Sequence, residues 1–229
     1  MVDRLSASTF VYKLGNVNYI NLTNKCTCAC TFCIRDNGGG VGGYDLWLET
    51  EPSAQQVIHL LESDKTDIVF CGYGEPTMRL DALLEIARYV KGYGGHVRLD
   101  TNGHGSVYNG RDIAPVLAGK AENAPEQERG TEVLCTGKQG TRQSSGIMPI
   151  DEVSISLNAP TAEEYAKITN CRYGEQGFYD MLGFAAACVK NGIDTALSVV
   201  DVIGDKEIEA CRKIAEDIGA RLKVRHYVE

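Results

Sequence analysis

Short strand-like segments alternate with amphipathic helical segments along most of the sequence, and this order limits the fold more than any other feature. The expected strands are Phe10–Leu14, Tyr19–Thr23, Asp67–Cys71, His96–Thr101, Glu152–Asn158, Leu197–Val202 and Arg221–Tyr227. Strands that alternate with helices form parallel sheets, because each helix returns the chain to the edge where the next strand starts. The last six strands therefore predict an α/β fold with a parallel sheet. With 229 residues, a single domain over 1–229 is the simplest organisation.

Two of the helical segments begin with residues typical of a helix N-terminus. Ser53 and Gln56 have the spacing of a capping box, as do Thr161 and Glu164. After Ser53 we expect one buried stripe, made of Val57, Ile58, Leu60 and Leu61. A later helix is expected over Asp205–Ile218. The pattern breaks at 120–150, which is polar and aperiodic, and we predict an inserted surface loop there.

Three cysteines lie on one short loop directly after the strand Tyr19–Thr23. Cys26, Cys30 and Cys33 have the spacing Cys-x3-Cys-x2-Cys. Three thiolates this close together can bind one iron–sulfur cube, and a cube of four irons then keeps one iron without a protein ligand. An open coordination position is what metal catalysis needs. The spacing therefore predicts a cluster that binds a further molecule.

The remaining cysteines do not form a second cluster in the sequence. Cys188 and Cys211 fall on apolar helix faces, where a buried cysteine acts as a small hydrophobic residue. Cys28 allows alternative ligand sets, since the loop also reads Cys-x-Cys-x-Cys-x2-Cys, but a free thiol is the simpler interpretation. A zinc site that uses Cys28 as fourth ligand is the alternative from outside iron–sulfur chemistry.

Polar residues stand at the carboxyl ends of several expected strands, where active sites lie in barrels of parallel strands. Glu75 follows the strand Asp67–Cys71 in a glycine-rich turn, and such a carboxylate can accept charge-assisted hydrogen bonds from an ammonium group. An ordinary turn before a helix is the alternative there. Ser154, Ser156 and Asn158 share one face of their strand, which indicates a lumen that binds a ligand.

These residues resemble the radical S-adenosylmethionine (radical SAM) enzymes, whose signature is Cys-x3-Cys-x-aromatic-Cys, here with Phe32 before Cys33. The resemblance implies a partial (β/α)6 barrel and a [4Fe-4S] cluster held by Cys26, Cys30 and Cys33. It also implies that S-adenosylmethionine (SAM) binds the open iron. Reductive cleavage of SAM would give a 5′-deoxyadenosyl radical that abstracts hydrogen from a substrate, in an oxygen-sensitive enzyme supplied with electrons by a reductant such as flavodoxin or ferredoxin.

The resemblance also implies which residues bind SAM. Gly74 and Glu75 match the family's Gly-Gly-Glu motif for the amino group, with Tyr73 in place of the first glycine. The other expected contacts are Phe32, Thr101, Asn102, Ser156, Asn158 and Val202. For Thr101 and Asn102 a plain Asn-Gly turn is an equal alternative. Val202 belongs to a region that matches the family's adenine-supporting segment only loosely.

Several segments are similar, more narrowly, to the TatD-family-associated radical SAM proteins. They are 19–24, 33–35, 46–49, 72–77 and 154–160. A glycyl-radical-enzyme activase is the alternative within the superfamily, since Asp100–Gly103 resembles a stretch found there. The strand Ser154–Asn158 argues against that alternative.

Charge and hydropathy exclude some partners. A net charge of −8 argues against a general nucleic-acid-binding protein, which would be basic. No stretch has the apolar length of a membrane span, and Met1–Leu14 lacks the layout of a signal peptide. We therefore expect a cytoplasmic protein.

Overall fold

A computed structural model describes residues 9–36, 40–62, 67–120 and 147–226. One seven-stranded sheet runs through them in sequential order. The strands are β1 (Val11–Leu14), β2 (Val17–Ile20), β3 (Ile68–Phe70), β4 (Val97–Thr101), β5 (Glu152–Ser156), β6 (Asp194–Val200) and β7 (Arg221–Arg225). β1 pairs antiparallel with β2, and every later pair is parallel. The predicted α/β fold with six parallel strands is confirmed, and a partial barrel is consistent with it.

Helices connect the parallel strands. They are α1 (Ala54–Leu60), α2 (Leu80–Gly92), α3 (Gly105–Asn109), α4 (Ala114–Leu117), α5 (Ala162–Thr169), α6 (Gln176–Lys190) and α7 (Asp205–Ile218). The predicted capping box of α1 is present, with Ser53 accepting from Gln56 N–H and the Gln56 side chain returning to the Ser53 backbone. α7 has the bounds that the sequence predicted. Within the described residues, no helix is both long and apolar enough to span a membrane.

The strands separate an apolar face from a polar one. Val153, Ile155 and Leu157 are fully buried in the main hydrophobic core, which also contains side chains from the connecting helices. The alternate residues of β5 and its C-terminal extension, Ser156 and Asn158, line a cavity on the other face. Because strand side chains alternate with a period of two, one face anchors the helices and the other remains available for polar groups.

The structure corrects one core prediction and two strand bounds. Leu60 is about half exposed, so it does not belong to the buried stripe of α1. At 100° per residue Leu60 points well away from the direction that Val57 and Leu61 share, and Ala54 occupies that face instead. β2 ends at Ile20, because the following residues leave the sheet to form the cysteine loop. β6 begins at Asp194, where it pairs with the start of β5.

Part of one prediction lies outside the described residues. The inserted polar loop was predicted over 120–150, and 121–146 are not described. Ile150 is fully buried, and its N–H donates to the Leu117 carbonyl oxygen. The chain therefore rejoins the core immediately before β5.

Candidate functional site

A cavity of about 320 Å³ opens at the carboxyl edge of the parallel strands. The cysteine loop forms one wall, and residues at or just after the ends of β3, β4, β5, β6 and β7 form the others. Parallel strands bring all their carboxyl ends to one edge, so residues far apart in the sequence meet there. This edge is where the sequence predicted the chemistry.

The cysteine loop is held in place from two sides. On one side, backbone hydrogen bonds connect it to the end of α5: Ala29 N–H donates to Thr169 O and Thr31 N–H to Ile168 O, both at 2.9 Å. On the other side, Glu75 N–H donates to Lys25 O at 2.8 Å. An irregular loop whose backbone groups are paired in this way has a defined conformation. The thiols therefore have fixed positions relative to the strand ends.

Gly74 lets the glycine turn and the cysteine loop touch. A Cβ atom on Gly74 would overlap the Thr23 carbonyl oxygen and lie 2.6 Å from Lys25 O. Both contacts are with backbone, which cannot rotate aside as a flexible side chain would. Only glycine permits this approach, and the approach brings Glu75 next to the loop.

Four cysteines of the loop border the cavity, and three of them are the predicted cluster ligands. Cys26, Cys30 and Cys33 are partly exposed, form no disulfide and line the cavity wall. A hydrogen bond from the Cys28 thiol lowers the pKa of Cys26 to about 7 and also lowers the pKa of Cys30. The Arg35 guanidinium donates to Cys33 Sγ at 3.4 Å. The lowered pKa values of Cys26 and Cys30 favour thiolates, the form that binds metal.

Glu75 is buried at the base of the cavity with a dense set of donors. Its Oε1 atom accepts from the Thr77 hydroxyl at 2.7 Å, the Thr77 N–H at 3.1 Å and the Thr101 hydroxyl at 2.7 Å. Its Oε2 atom accepts from Asn102 N–H at 2.8 Å. That is the one hydrogen bond of Oε2 within the described residues, so this oxygen keeps a lone pair for a ligand. The carboxylate both fixes the turn and can receive a cationic donor.

The opposite wall is less tightly bonded. The Ser156 hydroxyl and the Asn158 amide line the cavity and form no side-chain hydrogen bond to a described residue. Asn158 has a φ of 59°, a left-handed conformation that asparagine tolerates better than most residues. Arg225 adds a positive charge to this wall, and its guanidinium donates to Ser198 Oγ at 2.6 Å. Free donors and acceptors here are available to a bound molecule.

Most of the predicted site residues lie around this one cavity. The cavity-lining residues named by the sequence are Cys26, Cys30, Phe32, Cys33, Gly74, Glu75, Thr101, Asn102, Ser156 and Asn158. Val202 is not among them: it is about half exposed on the turn after β6, and Val200 borders the cavity instead. β6 ends at Val200, so Val202 lies beyond the sheet edge.

Sequence reasoning missed several lining residues. Asp100 sits in the wall near the end of β4 and accepts from Arg98 at 3.0 Å. Tyr165 and Thr169 approach from α5. Asp100 stands one residue before the predicted pair Thr101–Asn102, so its position was a usable signal. The α5 residues follow an ordinary helical pattern, so the sequence contains no signal that they would line the cavity.

Cys28 differs from its neighbours on the loop. It is buried, and its Sγ lies 3.8 Å from His104 Nδ1, while Cys171 Sγ lies 3.8 Å from the same nitrogen. The Cys28 thiol and, next, the His104 ring lower the pKa of Cys171 to about 4, against the effect of burial. Cys28 lines the cavity and also belongs to a second group of side chains, with His104 and Cys171. The sequence did not predict that group.

The residues around the cavity fit a [4Fe-4S] cluster with SAM. The three partly exposed thiols supply the sulfur ligands that iron requires. The backbone approach at Gly74 brings a buried carboxylate beside them, and a carboxylate is a suitable acceptor for the amino group of SAM. The donor set and its surroundings thus agree with both groups.

Comparison with known proteins gives a family match over part of the chain and a shared fold. The radical SAM superfamily profile matches residues 20–118. No curated protein matches this sequence. Solved structures at low identity show the fold. SuiB from Streptococcus suis, bound to its precursor peptide SuiA, is 15% identical with a TM-score of 0.59, and the match covers 93% of this chain and 39% of SuiB. SuiB has also been solved with SAM, at 14% identity, a TM-score of 0.59, and coverages of 93% and 40%.

Two further structures share the fold. A radical SAM methyltransferase from Sphaerobacter thermophilus is 13% identical, with a TM-score of 0.53 and coverages of 94% of this chain and 68% of that one. The FeFe-hydrogenase maturase HydG from Carboxydothermus hydrogenoformans is 14% identical, with a TM-score of 0.54 and coverages of 92% and 44%. The chain thus spans about two fifths of the length of SuiB.

Members of the superfamily are enzymes, and their domain implies a [4Fe-4S] cluster and SAM. The profile match identifies a radical SAM superfamily domain within this chain, over residues 20–118.

Proposed function

We propose that this protein is a radical SAM enzyme that abstracts hydrogen from a substrate not yet assigned. The observation that carries the proposal is the meeting of three thiols and one buried carboxylate around a single cavity at the carboxyl edge of the sheet. When bound, the reduced cluster and SAM supply a 5′-deoxyadenosyl radical. The residues of the chain bind and orient these groups.

Cys26, Cys30 and Cys33 hold the cluster in this proposal. Asn102 and Arg35 donate side-chain hydrogen bonds to Cys26 Sγ at 3.5 Å and to Cys33 Sγ at 3.4 Å. Hydrogen bonds to cluster sulfurs raise the reduction potential because they stabilise the added negative charge. These two residues would therefore ease the one-electron reduction that starts the reaction.

Glu75 orients SAM by accepting from its amino group through Oε2, the oxygen with the spare lone pair. The Thr77 and Thr101 hydroxyls hold Oε1, so the carboxylate cannot rotate away. Ser156 and Asn158 offer a hydroxyl and an amide to the ribose and carboxylate of SAM. Phe32 supplies an apolar surface for the adenine.

The substrate is expected beside Arg225 and His226, which line the cavity at and just after the end of β7. A guanidinium in that place favours a substrate with an anionic group. The electron donor is a flavodoxin or ferredoxin in our proposal. We also place the chain among the TatD-family-associated radical SAM proteins, which the segments 72–77 and 154–160 support.

The decisive experiment is SAM cleavage without substrate. Protein reconstituted with iron and sulfide in the absence of oxygen is mixed with SAM and dithionite, and 5′-deoxyadenosine and methionine are quantified by mass spectrometry. We expect both products from the wild type and neither from Cys33→Ala. A preparation with a complete cluster that forms no 5′-deoxyadenosine would contradict the proposal. Stoichiometric zinc in place of iron, in protein purified without oxygen, would support a metal-binding module instead.

A further inference from the structure

We propose that Cys28, His104 and Cys171 form a second metal site, separate from the cluster ligands, for a thiophilic divalent ion such as zinc. All three side chains are buried, and their ligand atoms lie within 4.8 Å of one another. They come from three parts of the fold: the cysteine loop, the turn after β4 and the segment after α5. Sulfur and imidazole ligands in this number are typical of zinc sites.

The interatomic distances suit a tetrahedral ion. With zinc–sulfur bonds of about 2.3 Å and zinc–nitrogen bonds of about 2.0 Å, a sulfur and a nitrogen ligand are separated by roughly 3.5 Å. The two sulfur atoms are each 3.8 Å from His104 Nδ1. Cys171 Sγ is also 3.7 Å from Nε2, so a small side-chain rotation is needed to direct it to Nδ1.

The hydrogen bonds of His104 select the nitrogen that would bind the ion. Nε2 lies 3.0 Å from the Gly177 carbonyl oxygen, which can only accept, so Nε2 carries the proton. In the neutral ring Nδ1 is then unprotonated, and the Thr27 hydroxyl, 2.9 Å away, can donate to it. Histidine ligands of metals are usually oriented by a hydrogen bond from the other ring nitrogen to a carbonyl or carboxylate. His104 already has this arrangement.

Closely packed residues surround the group on the side away from the cavity. A Cβ atom on Gly177 would lie 2.6 Å from Cys171 Sγ and 3.0 Å from His104 Nε2, so a glycine is needed at that point of α6. The rings of Tyr165 and Tyr173 meet the His104 ring edge-on. Cys28 and Tyr165 also line the cavity, from which a water molecule can reach the fourth coordination position.

A divalent ion would stabilise both cysteines of the group as thiolates. Two thiolates in a buried place are costly unless a cation compensates them, and one divalent ion balances both charges. The ion would also connect the cysteine loop to the segment after α5, where Arg172 N–H already donates to Thr27 O. The site would thus stabilise the loop that holds the cluster without binding the cluster itself.

The test separates this site from the cluster. In the variant Cys26→Ala/Cys30→Ala/Cys33→Ala the cluster ligands are absent, and the metal-free protein is titrated with Co²⁺ as a spectroscopic probe for zinc. We expect about one Co²⁺ per chain with the visible and thiolate charge-transfer bands of a tetrahedral site. Adding Cys171→Ala should abolish these bands, whereas adding Cys211→Ala, a buried cysteine of α7, should leave them unchanged.

A second measurement uses the complete protein. Wild type purified without oxygen and reconstituted with iron, sulfide and Zn²⁺ should retain zinc after removal of loosely bound metal, and Cys171→Ala should lose the zinc but keep iron and sulfide. The proposal is overturned if neither preparation binds the ion, if Cys171→Ala leaves binding unchanged, or if thiol titration finds Cys28 and Cys171 joined as a disulfide. Because SAM cleavage is not measured, failure here leaves the proposed function untouched.

Discussion

The two walls of the cavity differ in how far their polar groups are already paired. On the wall formed after β3 and β4, Glu75 accepts four hydrogen bonds from the protein, and the residues that donate them are largely buried. On the wall formed after β5, Ser156 and Asn158 have no side-chain partner among the described residues. The first wall is largely paired within the protein and keeps one lone pair on Glu75 Oε2, whereas the second offers its donors and acceptors to a ligand.

This difference indicates that the two walls have different roles in stability and binding. A network that is satisfied without ligand is rigid, and rigidity suits a group that must orient the same cofactor at every turnover. Unpaired groups at the cavity surface cost little while they are hydrated, and they gain partners when a molecule binds. The first wall should therefore influence stability as well as binding, and the second wall should influence binding alone. The following variants test that distinction.

The largest effect is expected at the cysteine loop. Cys30→Ala removes a proposed ligand, and we expect iron, sulfide and the visible absorption of the reconstituted protein to fall to background, with no 5′-deoxyadenosine formed. Cys188→Ala is the matched control, since Cys188 is buried in α6 away from the cavity. It should keep the cluster. A full cluster in Cys30→Ala would refute the ligand assignment.

Glu75→Gln should weaken SAM binding strongly while iron content remains normal. A hydrogen bond to a charged group contributes about 1.5–3 kcal/mol, so the dissociation constant should rise roughly 10- to 150-fold. Calorimetry or equilibrium dialysis without oxygen measures it. Glu51→Gln is the control, because Glu51 also bonds to the loop region, through Thr23, but does not line the cavity. Unchanged affinity in Glu75→Gln would show that this carboxylate serves only the turn.

Gly74→Ala tests the contact between the first wall and the cysteine loop. The added methyl group would collide with backbone, and we expect the free energy of unfolding to fall by about 1–3 kcal/mol, with less cluster incorporated. Urea unfolding and iron analysis measure the two effects. At Gly183 of α6 an added Cβ meets nothing within 4 Å, so Gly183→Ala should stabilise by about 0.5–1 kcal/mol. Equal behaviour of the two variants would argue against the proposed contact.

The smallest effects compare one hydroxyl from each wall. Thr101→Val removes a buried donor to Glu75 and should lower the free energy of unfolding by about 1–2 kcal/mol. Ser156→Ala should change it by less than about 0.5 kcal/mol, yet raise the SAM dissociation constant roughly 2- to 10-fold. Thermal unfolding and SAM binding are measured on both. If Ser156→Ala destabilised the protein as much as Thr101→Val, the contrast between the walls would be lost.

Local sequence patterns were sufficient for most of the architecture. The period of two in Ser154–Asn158 and the helical period of Asp205–Ile218 gave the elements, because each period is set by backbone geometry and is visible in contiguous residues. The ends of several strands differ from the predicted ones. β6 starts at Asp194 because β5 pairs with it there, and pairing partners are not encoded nearby. Leu60 was misassigned because a short helix leaves little pattern to average.

In the candidate site, too, some residues could be predicted from local sequence patterns and others could not. The cysteine spacing and the turn around Glu75 are contiguous motifs, so the sequence alone determined that a loop of thiols and a carboxylate would follow neighbouring strands. Only the tertiary structure brought Tyr165 and Arg225 to the same cavity and excluded Val202 from it. It alone also joined Cys28 to His104, 76 residues away, and Cys171 to the same ring across 67 residues. Contacts at such separations depend on how the strands pair and how the helices pack on the sheet. The local periodicity of the sequence carries no information about either.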